Sequence, residues 1–582
     1  MIRNDPKTRR PVLRVLALAL AMVLLLSGCV DIRRLILSRL RGGDGDMVPF
    51  DQMAYQRPDM AALEELFTSA TAFAREATAK DGSALTKRLN ECWDAYDEFY
   101  TMVTLASIHS DIDQSDEKWE EECDFCLASE VKIEEWLDRL LMASAASDAP
   151  VSERLLAGYD QRDDFRYSDR ALELMDRENS LLRDYYKVMQ LDDIQLDGKT
   201  VSYTDYISDP GISDGAYRAA KLAYYRACNQ AAAPIYIELV KVRRALAAEL
   251  GFDSYEDYQF AVFARDYTPA QIRAYLDDVE GTMADYYRTF MAADPYSLVS
   301  YDAITPKKLV NLLGDATADM GKTVTGAFSF MKQYDLYDVD TSIYKAPGSY
   351  TTYLDSYDAP FCYVDAYGDV EDFLDFAHEF GHFADAYCNY NATSNLDLAE
   401  TYSQAMANLA LLKCRDLLDE DDFRNLLLLH LLSSLSIFAE QTAYADFESR
   451  VFALPDDALT VENLNALALE CSLRFGADAG AEEEDCLYYW TQVSHLFDYP
   501  FYVISYCVSA DAAIQIAEKE MDEPGAGVAV YEDLLDWQED VFLSELERVG
   551  LESPFAPGRA DRNLALVESI MESSLGGYLN AA

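Results

Sequence analysis

Apolar residues recur at three- and four-residue intervals through most of this chain, the spacing that places them on one face of an α-helix. The pattern is clear in long segments such as 215–250 and continues almost to the C-terminal end. Between residues 343 and 367, proline, glycine and aromatic residues cluster instead, and 360–364 has the composition of a short strand. The sequence therefore predicts a mainly α fold with one small β-sheet.

The segment 195–203 interrupts the helical pattern with a predicted turn and flanking strands. We take it as the boundary between a helical N-terminal lobe, residues 49–199, and the remainder of the chain, residues 200–582. Self-similarity at a period of 20–50 residues does not stand out in the sequence, which argues against a solenoid.

The first residues have the features of an export signal. A basic start precedes the apolar run Val15–Leu26, whose twelve residues span only about 18 Å as a helix, too short for a bilayer core. The LSGC sequence that follows resembles a bacterial lipobox, in which the cysteine is lipidated. We expect 1–28 to be a lipoprotein signal peptide, Cys29 the lipidation site and 29–48 a membrane tether, which would hold the protein outside the cytoplasm on the bacterial cell membrane. The alternative is an ordinary signal peptide with an incidental cysteine.

The charge and the composition of the chain exclude several classes of protein. Of 582 residues, 104 are Asp or Glu and 48 are Lys or Arg, and the resulting net charge of −56 argues against nucleic acid as a partner. A hydrophobic fraction of 50% excludes a disordered chain. Cys123 and Cys126 form a CxxC in a polar helical stretch, and we interpret them as two cysteines on a helix face, with a disulfide left open, rather than as half of a metal site.

The five histidines include His378 and His382, which form an HExxH sequence with Glu379. Positions i and i+4 of a helix lie one above the other, so both imidazoles can reach one metal ion. Glu379 lies about 100° around the helix, where it can face a water molecule at the metal without being a ligand. In this signature zinc makes a water molecule more acidic and the glutamate removes its proton. The motif predicts one Zn²⁺ per chain.

The third protein ligand is predicted on the next helix. Glu400 is the only acidic residue between Leu398 and Leu412, and a lone carboxylate on an otherwise apolar helix is costly to bury unless it binds a metal or a partner. Alternatively, Glu400 begins that helix and favours its dipole. Asp385 and Asp397 are the other candidate ligands.

Polar aromatic residues cluster at 495–506. Attack on an amide creates an oxyanion, which hydrogen-bond donors in a partly dry cleft stabilise. His495 offers an imidazole N–H, and Tyr502 and Tyr506 offer hydroxyl groups at i and i+4 on one helix face. Because the chain has 40 tyrosines, packing is the alternative interpretation of these two.

Together these segments resemble one family. The sequence KAPGSYTTYLDSYDAPFCYVDAYGDVEDFLDFAHEFGH, then LAETYSQ, then HLFDYPFYVISY, is similar to the oligoendopeptidase F and thimet oligopeptidase family of zinc metallopeptidases. With GFDSYEDYQF at 251–260, the similarity runs from about residue 200 to residue 520. It implies a two-lobed helical shell around a deep substrate channel, a small β-sheet next to the zinc-binding helix, and cleavage of short peptides.

The resemblance also implies roles by position. The strand near Phe361–Tyr363 would be an edge strand that pairs with the peptide backbone, and the loop Gly348–Tyr350 would close on it. The implied zinc ligands are His378, His382 and Glu400, the implied base is Glu379, and the implied oxyanion or substrate-holding residues are His495, Tyr506 and Tyr502. The substrate-binding set is Gly348, Tyr350, Phe361, Cys362, Tyr363 and Tyr499.

Three features depart from the family pattern. Asp385 stands where a histidine is frequent, Ala407 stands where a second glutamate often follows, and the interval between His382 and Glu400 is short. The HExxH sequence itself is intact.

The sequence therefore predicts a lipid-anchored, extracytoplasmic zinc metallo-endopeptidase that acts on oligopeptides. One alternative is a lipoprotein that captures peptides without cleaving them, although such a protein has no need of a base at Glu379. The other is a related helical zinc carboxypeptidase.

Overall fold

The computed structural model of the chain describes residues 47–151, 155–156, 168–209, 211–389, 393, 395–538 and 541–572. The predicted signal peptide, the lipidation site at Cys29 and nearly all of the predicted tether lie outside these residues.

Three long helices open the described part of the chain: α1 Met60–Glu76, α2 Gly82–Ile112 and α3 Glu117–Ala145. They pack around a core of their own, built from aliphatic and aromatic side chains. Cys123 and Cys126 both lie on α3 and are buried in this core, and neither is part of a disulfide.

The middle of the chain adds helices around a second, larger core. The hairpin β1–β2 occupies the predicted turn with flanking strands, and its strands pair antiparallel. The division of the chain into lobes at residue 199 stays a prediction. The elements in order are α4 Asp169–Met189, β1 Asp193–Leu196, β2 Lys199–Ser202, α5 Tyr203–Ile207, α6 Asp214–Glu249, α7 Tyr255–Val262, α8 Pro269–Ala292, α9 Pro306–Thr317 and α10 Gly321–Gln333.

A three-stranded sheet follows, made of β3 Tyr337–Asp338, β4 Tyr350–Leu354 and β5 Ala359–Tyr363. The strand order is β3-β5-β4, with β5 parallel to β3 and antiparallel to β4. The prediction that Phe361–Tyr363 forms an edge strand is therefore wrong. Because β5 is hydrogen-bonded on both sides and its residues are buried, it has no free edge for a peptide.

The C-terminal part is again helical, and the three-stranded sheet packs against its first helix, α11 Asp372–Asn389, as predicted. The fold is mainly α, also as predicted. The elements are α11 Asp372–Asn389, α12 Leu396–Cys414, α13 Glu420–Ser436, the π-helical turn Ile437–Gln441, α14 Thr442–Ala453, α15 Val461–Phe475, α16 Glu483–Tyr488, α17 Ser494–Asp498, α18 Val503–Asp522, α19 Ala526–Leu535, α20 Phe542–Arg548 and α21 Arg559–Ile570.

One described run, Glu420–Ala453, is long and apolar enough to cross a membrane by length and composition alone. However, 61% of its most apolar window is buried inside the protein. Its leucines belong to the larger hydrophobic core, which is the behaviour of a core helix.

Candidate metal centre

Helices α11 and α12 approach each other closely at Gly381, inside the HExxH sequence. A Cβ added to this glycine would lie 2.5 Å from the Cα of Ser403 and 2.5 Å from the carbonyl oxygen of Tyr402. Only a residue without a side chain fits at such a contact. The glycine therefore permits the helix spacing that brings the acidic residue of α12 to the two histidines of α11.

The structure brings His378, His382 and Glu400 together. One ligand atom from each lies within 4.8 Å of the others, and His378 Nε2 is 3.7 Å from Glu400 Oε2. The two imidazoles come from adjacent turns of α11, as the i and i+4 spacing predicts, with their ring centroids 5.1 Å apart. Three side chains thus converge on one point from two helices.

This donor set fits a zinc ion. Two imidazoles and one carboxylate are a common zinc ligand set, and bonds of about 2.0 Å in a tetrahedron place ligand atoms about 3.4 Å apart. Burial lowers the pKa of His378 to about 4 and that of His382 well below its ordinary value, so both rings are neutral and offer a lone pair. Burial also raises the pKa of Glu400 to about 7, an energetic cost that a bound cation would relieve.

Hydrogen bonds fix the orientation of the Glu400 carboxylate. The Tyr502 hydroxyl donates to Oε1 at 2.6 Å, and the Ser403 hydroxyl lies 3.3 Å from Oε2. Glu400 is the fifth residue of α12, and Asn395 caps the helix instead. Its position therefore does not match the alternative in which Glu400 serves the helix start.

The other two candidate ligands are engaged elsewhere. Asp385 accepts hydrogen bonds from the side chain of Asn389 and the backbone N–H of Thr393, each at 2.7 Å. Asp397 accepts one from the Tyr267 hydroxyl at 2.7 Å and lies 3.7 Å from Nε of Arg265. Neither carboxylate joins the group formed by the two histidines.

Glu379 lies beside the three converging side chains and is held by the sheet. The Thr351 hydroxyl of β4 is 2.8 Å from the Glu379 carbonyl oxygen and 3.0 Å from its Oε2. Burial, with smaller contributions from Glu400 and Asp375, raises the pKa of Glu379 to about 8. Sequence reasoning missed Thr351, because the contact depends on how the sheet packs against α11.

His495, Tyr502 and Tyr506 form a cluster of half-buried rings next to Glu400. The His495 ring centroid is 5.2 Å from that of Tyr502 and 6.0 Å from that of Tyr506, and the Tyr506 hydroxyl is 3.5 Å from His495 Nε2. Burial lowers the pKa of His495 to about 4, so the ring is neutral and carries one N–H. The Tyr499 ring lies 6.1 Å from that of His495.

The backbone between His495 and Tyr502 is held by buried polar groups from distant parts of the chain. Phe501 has a left-handed conformation, with φ of 65°, which is unusual for a bulky residue. Its N–H donates to Glu448 Oε1 at 3.0 Å, and its carbonyl oxygen accepts a hydrogen bond from Arg265 at 2.8 Å. These contacts maintain the bend that directs Tyr502 toward Glu400, and sequence reasoning missed both residues.

The predicted substrate-binding residues separate into two groups. Phe361, Cys362 and Tyr363 are fully buried on the central strand. Gly348, which is exposed with φ of 93°, precedes β4, and among the described strands β4 pairs only with β5. Tyr350 begins β4 and donates a hydrogen bond to Asp111 at 2.9 Å. The edge strand of this sheet beside the metal centre is therefore β4.

Comparisons with known proteins concern the N-terminal domain and the fold. Residues 50–150 match the family described as the Peptidase M3 N-terminal domain. No curated protein shows a significant sequence match. A structure of PZ peptidase A with an inhibitor is 20% identical, with a TM-score of 0.68, and the alignment covers 92% of this chain and 99% of that chain.

Two further structures share the fold. A protein designated an oligoendopeptidase F from Bacillus anthracis is 22% identical with a TM-score of 0.63, covering 91% of this chain and 99% of its own. The oligoendopeptidase-F of Enterococcus faecium is 14% identical with a TM-score of 0.54, covering 89% and 99%.

Proposed function

We propose that this chain is a peptidase of the M3 and oligoendopeptidase F family, and that it is a zinc metallo-endopeptidase that cleaves oligopeptides. The match of its N-terminal domain and the likeness of its fold support the proposal. The match to the M3 family supports a metallopeptidase activity for this chain, because peptidases of that family are generally zinc-dependent. The proposal of a zinc-dependent hydrolysis rests on one observation. His378, His382 and Glu400 converge within 4.8 Å, and Glu379 lies next to them.

In this proposal each residue has one task. His378, His382 and Glu400 would hold zinc, which when bound supplies a Lewis acid that makes a water molecule more acidic and polarises the scissile carbonyl. Glu379 accepts a proton from the attacking water and passes it to the departing amine.

Two further groups would stabilise charge during the reaction. The Tyr506 hydroxyl and the His495 N–H would donate to the oxygen on which negative charge develops, and the 3.5 Å between this hydroxyl and His495 Nε2 supports a shared role. Tyr502, whose hydroxyl already donates to Glu400, would orient that ligand instead.

Cleavage of an internally quenched peptide library, followed by product masses, tests the function. We expect cuts at internal bonds, loss of activity in a chelator that removes zinc, and recovery when one equivalent of Zn²⁺ is restored. Activity that survives complete removal of the metal would contradict the proposal. Release of single C-terminal residues alone would favour a carboxypeptidase.

We also propose the lipid anchor at Cys29 and an extracytoplasmic location on the bacterial cell membrane. The support is the order of basic start, apolar run and LSGC in the sequence. Labelling of the expressed protein with a radioactive fatty acid should mark the parent chain and not Cys29→Ser. Equal labelling of the two, or none, would contradict the anchor.

A further inference from the structure

A cavity of about 910 Å³ lies at the N-terminal end of α11, the helix that carries His378 and His382. Asp375, one helical turn before His378, lines the cavity. Trp490 also lines the cavity. It lies four residues before the start of α17, the helix that carries His495. The volume is that of a site for a small ligand or a short peptide segment.

The wall of this cavity is acidic. Seven carboxylate residues line it against one lysine, Lys221. The lysine is already paired, because its Nζ lies 3.3 Å from Asp485 Oδ2. The lining carboxylates are Asp294, Asp369, Glu371, Asp372, Asp375, Glu440 and Asp485.

Two of these carboxylates favour a cationic ligand. Asp375 is exposed and faces the cavity. Glu440 is half-buried on the π-helical turn, a rare element that is frequent at functional sites. Among the described residues, neither carboxylate has a hydrogen bond or an ion pair, and burial raises the pKa of Glu440. An unpaired, half-buried carboxylate such as Glu440 is costly, and a cationic ligand would offset that cost.

Seven tyrosines also line the cavity, and Glu440 lies among four of them. Its charge contributes to the raised pKa of each of those four hydroxyls, which shows their proximity. Electron-rich ring faces attract ammonium and guanidinium groups. The lining tyrosines are Tyr225, Tyr287, Tyr296, Tyr301, Tyr367, Tyr444 and Tyr489.

The chain itself shows how this wall receives an ammonium group. Lys221 Nζ lies 5.3 Å from the centre of the Tyr225 ring while it pairs with Asp485. One carboxylate and one ring thus hold one cation in the cavity wall. Glu440 and its four neighbouring tyrosines offer the same combination of groups.

Resting on the proposed function, we propose that this cavity is one arm of the substrate channel and that it selects peptides with a lysine or arginine side chain at the position that enters it. The selection would arise from the carboxylates and tyrosines around Glu440 rather than from the net charge of the whole chain. Neutral peptides would remain substrates, with lower kcat/KM.

A peptide series in which one lysine is moved along an otherwise neutral nonapeptide, each matched with a norleucine peptide, measures this selection. We expect lysine to raise kcat/KM about tenfold over norleucine at one position or more on one side of the cut. In Glu440→Gln the ratio of kcat/KM for the lysine peptide to that for the norleucine peptide should fall about three- to tenfold. In Tyr296→Leu, which replaces a residue that is 45% exposed, the same ratio should fall about threefold. If Glu440→Gln does not fold, Tyr296→Leu tests the same selection independently.

The matched control is Glu65→Gln, which removes one exposed carboxylate of α1. It should leave the lysine-to-norleucine ratio unchanged. A ratio near one at every position would overturn the proposal. So would an equal fall in Glu65→Gln, since that result would trace the preference to net charge.

Binding distinguishes a failure of this inference from a failure of the proposed function. Fluorescence anisotropy of the labelled lysine and norleucine peptides on the full chain in chelator needs no catalysis. Tighter binding of the lysine peptide, reduced in Glu440→Gln, would support the cation site even if no peptide is cleaved. Equal binding of the two peptides would overturn it.

Discussion

The Tyr502 hydroxyl donates a hydrogen bond of 2.6 Å to Oε1 of Glu400. This contact gives different roles to Tyr502 and Tyr506, both of which are predicted from the sequence as oxyanion donors. Tyr502 holds the acidic member of the metal centre, while Tyr506 turns its hydroxyl to His495 at 3.5 Å.

Tyr502→Phe should weaken metal binding about tenfold, because a group that orients a metal ligand contributes to affinity in this range. Tyr506→Phe is the matched control, and it should lower kcat while zinc affinity stays unchanged. Competition with a fluorescent chelator gives the affinities, and peptide cleavage at saturating zinc gives kcat. The assignment would be wrong if the two variants exchanged these effects.

Gly381→Ala should destabilise the protein by about 2 kcal/mol, since the new Cβ would meet the backbone of α12 at 2.5 Å. The displaced helix would carry Glu400 away from the histidines, so zinc stoichiometry should fall as well. Thermal unfolding and metal analysis measure the two effects. Gly281→Ala on α8 is the control, because nothing lies within 4 Å of its added Cβ, and it should be neutral or slightly stabilising.

Glu448→Ala should lower kcat about 10- to 100-fold by releasing Phe501 from its left-handed conformation and displacing the tyrosines that follow. Glu448→Gln keeps an oxygen acceptor for the Phe501 N–H and should restore most of the activity. Zinc content and circular dichroism should show that both variants are folded. Equal losses in the two variants would mean that the carboxylate acts in another way.

Glu130 makes stability depend on pH. Burial, and then Glu134, raises its pKa from 4.5 to about 8, so the folded chain keeps a proton that the unfolded chain releases. Between pH 4.5 and 8 the folded state binds more protons, and this residue therefore lowers the free energy of unfolding as the pH rises.

Glu130→Gln stays neutral, so its free energy of unfolding should exceed that of the parent chain increasingly as the pH rises. From pH 5 to pH 8 this advantage should grow by about 2 kcal/mol. Urea unfolding at both pH values measures the difference. Glu135→Gln on the same helix, where the side chain is 54% exposed, should show almost no such gain. A gain that is equal at both pH values would show that the buried proton is not its cause.

The sequence was sufficient for the parts of the site that depend on local spacing. His378 and His382 are four residues apart on one helix, and a helix turn is enough to place them together. Glu400 could be singled out because it is a lone acid in an apolar stretch. The short strand and the hairpin followed from composition and turn residues.

The order of strands could not be predicted in this way. Which strand lies at the sheet edge depends on contacts between distant segments, and β5 became the central strand because Tyr337–Asp338, more than 20 residues earlier, pairs with it. Thr351, Arg265 and Glu448 were missed for the same reason, since each reaches the site from another part of the chain.

The central claim is that a metal held by His378, His382 and Glu400 works with Glu379 as the base. Parallel measurement of zinc stoichiometry and peptide turnover in Glu379→Gln tests it most directly. We predict one zinc per chain, as in the parent, with turnover reduced by about 10²- to 10⁴-fold. Near-normal cleavage by the zinc-loaded variant would contradict the account.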